Sequence, residues 1–99
     1  MGIKVLDDNL IPKGYEQITS LSSSSGLTPP AGAMIAVVQA ESQNIRWRDD
    51  GTAPTAAIAM QLEAGTDFLY TGNLSAIKFI EEAASAKLNV SYYGSRLES

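Results

Sequence analysis

Two neighbouring stretches hold the residue types that could do chemistry. Asp49 and Asp50 form an adjacent carboxylate pair, and Arg46-Trp47-Arg48 sets an indole between two guanidinium groups just ahead of it. Acid–base work by two carboxylates needs a fixed separation and one raised pKa. Adjacent aspartates in a turn stay hydrated instead, and this stretch lacks the spaced acidic ladder and distal glutamate of a calcium loop. The pair therefore reads as a turn whose carboxylates bridge to Arg46 or Arg48. The Arg-Trp-Arg triplet suits stacking on a sugar or base, anchoring of Trp47 in a core, or a protein contact, where Trp, Tyr and Arg are enriched. Tyr92-Tyr93 puts one ring on each face of a strand, one for the core and one for an interface.

The chain has no cysteine and no histidine. A Ser-His-Asp arrangement is thereby impossible, thiolate metal sites are excluded, and the commonest general base and the commonest transition-metal ligand are missing together. Gly51-Thr52-Ala53-Pro54-Thr55 has neither the spacing nor the lysine of a phosphate loop. The expectation is a chain that is not an enzyme, with no cofactor and no metal.

At 99 residues the chain is one domain, able to bury roughly 60–65% of its unfolded surface in a single modest core. Its formal charge of −4 comes from 7 basic and 11 acidic residues. Without a basic stripe, neither nucleic-acid nor polybasic membrane binding is supported. The start of the chain lacks the pattern of a signal peptide, and no apolar run approaches the ~20 residues of a membrane span. The sequence reads as soluble and unexported, made in a reducing cytoplasm.

These candidate residues need strands to position them. Residues 1–13 alternate too weakly for core and read as an arm. Residues 15–19 suit an exposed strand, and residues 20–32, rich in Ser, Pro and Gly, read as a flexible loop. Met34-Ile35-Ala36-Val37-Val38 is the strongest core-strand candidate. Ile45 and Trp47 alternate against Arg46 and Arg48. Asp49-Asp50-Gly51 looks like a hairpin turn, and Pro54 argues against a central strand there. Ile58, Met60 and Leu62 share one side of the next strand, Phe68 to Tyr70 form another, and Leu88, Val90 and Tyr92 alternate in the last. Residues 74–87 fit a helix by propensity, with Asn73 as its cap. The strand rhythm on either side favours a strand over 76–80, a loop over 81–86 and then the closing strand. Turn signals about every 8–12 residues give seven or eight short strands, as in sandwiches and small barrels.

The stretch from Ala40 through Ile45-Arg46-Trp47-Arg48-Asp49-Asp50-Gly51 to Pro54-Thr55 and Ala64-Gly65 resembles a pattern in small virion proteins of tailed phages. Those proteins pair an R-x-R-x-D-G-x-x-P-T turn with an A-G turn and a closing L-x-V-x-Y-Y strand, matched here by Leu88, Val90, Tyr92 and Tyr93. The resemblance covers about residues 33–93 and departs at Ala59, where the pattern commonly has Gly. It implies an all-β fold, an antiparallel β-sandwich or jelly-roll-like barrel, that assembles into particles, often as trimers, without catalysis.

The function expected on these grounds is capsid decoration: a cement protein binding the major capsid protein as a homotrimer in the virion. A tail or neck component and a small carbohydrate-binding module are the alternatives. Arg46, Trp47, Arg48, Asp50, Tyr70 and Tyr93 are the candidate contact or turn-defining residues.

Overall fold

The computed structural model describes residues 10–95, and these form strands without a helix. In chain order they are β1 (Leu10–Ile18), β2 (Ser25–Gly26), β3 (Ile35–Glu41), β4 (Ile45–Arg48), β5 (Met60–Leu62), β6 (Asp67–Tyr70), β7 (Lys78–Glu81) and β8 (Lys87–Ser95). They make two four-stranded sheets, A in the order β1-β8-β3-β6 and B in the order β2-β7-β4-β5. Every pairing is antiparallel.

The order has a simple origin. β1 pairs with β8, β2 with β7, β3 with β6 and β4 with β5, as in one long hairpin with β4 and β5 at its tip. The β3–β8 and β4–β7 pairings then roll that hairpin into two sheets. This is the winding of an eight-stranded jelly roll, one of the two architectures expected above.

Period-two alternation sorts the side chains. In β8, Leu88, Val90 and Tyr92 point inward, and in β3, Ala36, Val38 and Ala40 do the same. Sheet B answers with Ile45, Leu62 and Phe79, and the loops add Leu21, Leu74, Ile77 and Ala86. Fully burying one such large side chain stabilises by about 1.5–3 kcal/mol. The core contains no buried charged or polar residue among those described. Two tyrosines reach out of it through their hydroxyls, Tyr70 to Asp49 and Tyr92 to the Glu16 carboxylate. Glu16 also accepts from the Thr28 N–H at 2.9 Å, so β1, β8 and the connection from β2 to β3 are tied together. Burial, then the carboxylate beside it, raises the Tyr92 pKa well above the ordinary phenol value.

Several expectations change. Residues 10–13, counted with the arm, belong to β1, where Pro12 sits at a bulge on an edge strand that can spare its N–H; residues 1–9 of the arm lie outside the described residues. The segment 20–32 contains β2 and the fully buried Leu21. Asp49-Asp50-Gly51 is not a tight hairpin, because residues 49–59 all lie between β4 and β5. The strand expected over 57–62 shortens to Met60–Leu62. Residues 74–86 hold turns and β7 rather than a helix, in keeping with the strand reading.

Candidate interaction surface

β4 presents two chemistries on its two faces. Ile45 is fully buried, and Trp47 points the same way toward the open side of the sandwich. The indole packs on Phe68 at 5.3 Å between ring centroids, and edge-on against Tyr70 at 6.4 Å. Arg46 and Arg48 face outward, and each has a defined partner.

Arg46 Nε donates to Glu82 Oε2 at 2.7 Å, and its Nη1 donates to the Ala59 carbonyl at 3.0 Å. Glu82 Oε2 also accepts from Gln61 Nε2 at 2.8 Å. The Gln61 amide, ahead of Arg46 and Asn44, holds the Glu82 carboxyl below the ordinary range against the opposing effect of burial. This cluster ties β4 to the residues flanking β5 and β7. The expected pairing of an arginine with the aspartates is made by Arg48: its Nε and Nη2 grip Asp50 Oδ1 at 3.0 Å and Oδ2 at 2.6 Å. That fork-to-fork pair, with a smaller contribution from the Thr52 N–H, brings the Asp50 pKa down to about 2.

The connection from β4 to β5 is built residue by residue. Gly51 takes φ +89°, a left-handed conformation that favours glycine. Pro54 is buried, pinning the middle of the loop. Thr55 Oγ1 accepts from the N–H groups of Ala57 at 3.3 Å and Ile58 at 2.9 Å, while the Thr55 N–H donates to the Ile58 carbonyl at 3.1 Å. The resulting small turn holds Ile58 out in solvent.

Between this loop and β4 lies an open cleft of about 530 Å³, lined by Trp47, Arg48, Asp49, Asp50, Ile58 and Met60. Ile58 is 66% exposed and Met60 59% exposed. Asp49 is held by the Tyr70 hydroxyl and Asp50 by Arg48, so the two adjacent carboxylates serve separate partners. Among the described residues, no three His, Cys, Asp or Glu side chains gather in a way that could hold a metal ion. The cleft combines exposed apolar side chains with a rim on which Arg48 balances Asp50 while Asp49 keeps its charge against the neutral Tyr70 hydroxyl.

Of the residues singled out in the sequence, Arg46, Trp47, Arg48 and Asp50 come together at this cleft or its supporting cluster. Tyr70 is buried and defines the turn through Asp49. Tyr93 stands apart, on the outward face of sheet A, paired with Ile35 and Pro12. Sequence reasoning did not single out Ile58, Met60 and Glu82, which the structure places at the cleft or in its supporting cluster. The alternation of Ile58, Met60 and Leu62 signalled a shared side, yet only Leu62 reaches the core. Comparison with models of protein families, with curated proteins and with solved structures finds no match.

Proposed function

We propose that this protein is a non-enzymatic structural component of a tailed-phage particle, decorating the head shell through the Trp47 cleft. The observation that supports this reading is a coincidence of pattern and geometry. Arg46, Arg48, Asp50, Gly51, Pro54 and Thr55 carry the resemblance to small virion proteins, and the same six residues build and brace the cleft wall. The wall exists to hold Ile58 and Met60 in solvent, and clustered exposed apolar side chains with a polar rim mark interaction surfaces. Jelly rolls occur in viral capsid domains; that association is in keeping with the reading, although a fold by itself does not carry a function.

In this reading the chain is made in the host cytoplasm and incorporated into the virion as a homotrimer. The major capsid protein inserts an apolar side chain between Trp47 and Ile58. Binding only the assembled shell stabilises that shell by mass action. The test is immunogold electron microscopy of purified particles of the encoding phage, with antibody to the recombinant chain. Label over the heads is the expected result, and label confined to the tail shifts the assignment to a tail or neck component. Absence from the particle band removes the virion reading and leaves a carbohydrate-binding module to be screened.

A further inference from the structure

The outward face of sheet A carries a second arrangement, independent of the cleft. Antiparallel pairing aligns its side chains into two adjacent rows across all four strands. One row runs Tyr15, Ser91, Val37, Leu69, and the next runs Gln17, Asn89, Gln39, Asp67. The first is largely apolar and aromatic, the second is three carboxamides and a carboxylate. Neighbouring residues within a row are about 4.8 Å apart, and the rows are separated by about 7 Å, two residues along each strand.

The face sinks between the rows into a groove of about 220 Å³, lined by Tyr15, Ser91, Val37, Gln39, Asn89 and Asp67. That is below the ~300 Å³ of pockets for drug-sized ligands and matches a single small ring. Asn89 organises the polar side. Its Oδ1 accepts from the Tyr15 hydroxyl at 2.7 Å and from Gln17 Nε2 at 2.9 Å, while its Nδ2 donates to Gln39 Oε1 and Glu41 Oε1, both at 3.0 Å. All four hydrogen-bonding sites of the amide are thereby used to fix its neighbours. Gln39 is engaged through its oxygen, which leaves its amide nitrogen as the donor available to a ligand.

Asp67 supplies the complementary acceptor. Its Oδ1 is shielded from water and has no hydrogen-bond donor among the described residues. A buried carboxylate oxygen without a donor is an unfavourable arrangement, and because Asp67 lines the groove, a partial turn about its soft terminal torsion would open both oxygens to it. A donor arriving in the groove would satisfy it.

We propose that this groove binds a neutral pyranose. The ring's C–H face would lie over Tyr15 and Val37, and two adjacent hydroxyls would meet Gln39 as donor and Asp67 as acceptor. A sugar ring has that same split between an apolar face and a hydroxyl edge, at the scale of the two rows. Neither row contains a lysine or arginine, so a phosphorylated or sulfated sugar would find no cation here. Asn89 acts as a positioning residue, holding Tyr15 and Gln39 without spare capacity of its own.

The test is a ¹H–¹⁵N correlation titration of the whole chain with the methyl glycosides of glucose, galactose, mannose and N-acetylglucosamine. At least one should give saturable shifts confined to the two rows, with the Trp47 indole resonance unmoved. Tyr15→Ala and Asp67→Ala should each weaken that binding about tenfold or more, with melting curves confirming that both variants are folded. Three outcomes overturn the proposal: no saturable shift with any of the four sugars, shifts centred on Trp47, or stronger binding of an oligolysine peptide than of every sugar.

Discussion

The hydroxyl of Tyr70, on the edge strand of one sheet, donates to Asp49 Oδ2 at 2.8 Å, just beyond the last residue of β4 in the other sheet. One phenol thus clasps the two layers at the base of the cleft and fixes where the β4–β5 loop departs. Gly72 makes room for it, since a Cβ at that position would lie 2.5 Å from the hydroxyl oxygen.

That clasp gives the fold an alkaline limit. Burial, then the bond to Asp49, raises the Tyr70 pKa to about 12, against about 10 in an unfolded chain. Because the folded state holds the proton more tightly, this stability is complete below pH ~10 and is lost as pH rises through ~12. Tyr92 is displaced in the same direction and adds to the loss. Urea midpoints measured from pH 8 to 12 should fall across that window. Tyr70→Phe should cost about 1 kcal/mol at neutral pH, and flatten part of the alkaline decline.

Gly94 faces the core side of β8, where a Cβ would run into the Gly32 carbonyl oxygen and lie 2.7 Å from Lys13 Cε. Lys13 can swing aside, but the Gly32 backbone cannot without disturbing its turn. Gly94→Ala should destabilise by about 1–3 kcal/mol, read as a lower urea midpoint with an unchanged slope.

Ser85 sits at φ +74° in the turn between β7 and β8, a left-handed conformation with a cost for any side chain. Ser85→Gly should relieve it and raise stability by up to about 1 kcal/mol, offset in part by the greater freedom of glycine in the unfolded chain. A lower melting temperature than the parent would show that this turn is held by something other than backbone preference.

The exposed pair at the cleft separates binding from folding. Ile58→Ser combined with Met60→Ser removes apolar surface that is already in water, so the melting temperature should hold within about 2 °C. Attachment to phage heads in a sedimentation assay should nevertheless be lost. Trp47→Ala is a poorer probe, because losing the packing on Phe68 and Tyr70 should itself cost about 3 kcal/mol.

Asp50 should titrate near pH 2 in a carboxyl-detected NMR experiment, and Arg48→Gln should return it toward the ordinary value of ~3.9. A depressed carboxylate stabilises above its unfolded pKa and loses that contribution as pH falls through the folded one. The pair is open to solvent, so added salt should raise the midpoint, while thermal stability should follow it only weakly.

Features of the fold written in local alternation were legible in the sequence. The opposition of Ile45 and Trp47 to the two arginines, the inward set of β8 and the choice of strand over helix at β7 all rest on period two. What was hidden was non-local. Glu82 is 36 positions from Arg46, and nothing near either residue announces the other. Leu21 was masked by the serines around it, because a composition read over a window hides a single buried anchor. Asp49-Asp50-Gly51 has the local signature of a tight reversal, but the buried Pro54 and the Thr55 turn extend the loop through contacts that no local pattern carries. At the proposed sugar groove, the single strands show their polar faces, but only the register between four strands lines up Gln17, Asn89, Gln39 and Asp67.

The position of β8 also bears on how the molecule is made. It lies between β1 and β3 at the centre of sheet A, yet it is the last of these strands to leave the ribosome. Until residues 87–95 emerge, β1 has no neighbour in its sheet and β3 has only β6. The nascent chain must therefore carry two open strand edges, with the inward faces of β1 and β3 uncovered, through most of its synthesis. Completion is a single late insertion that zips both edges at once, so a stalled or truncated product lacking that strand should enter the aggregated fraction rather than persist as a smaller sandwich.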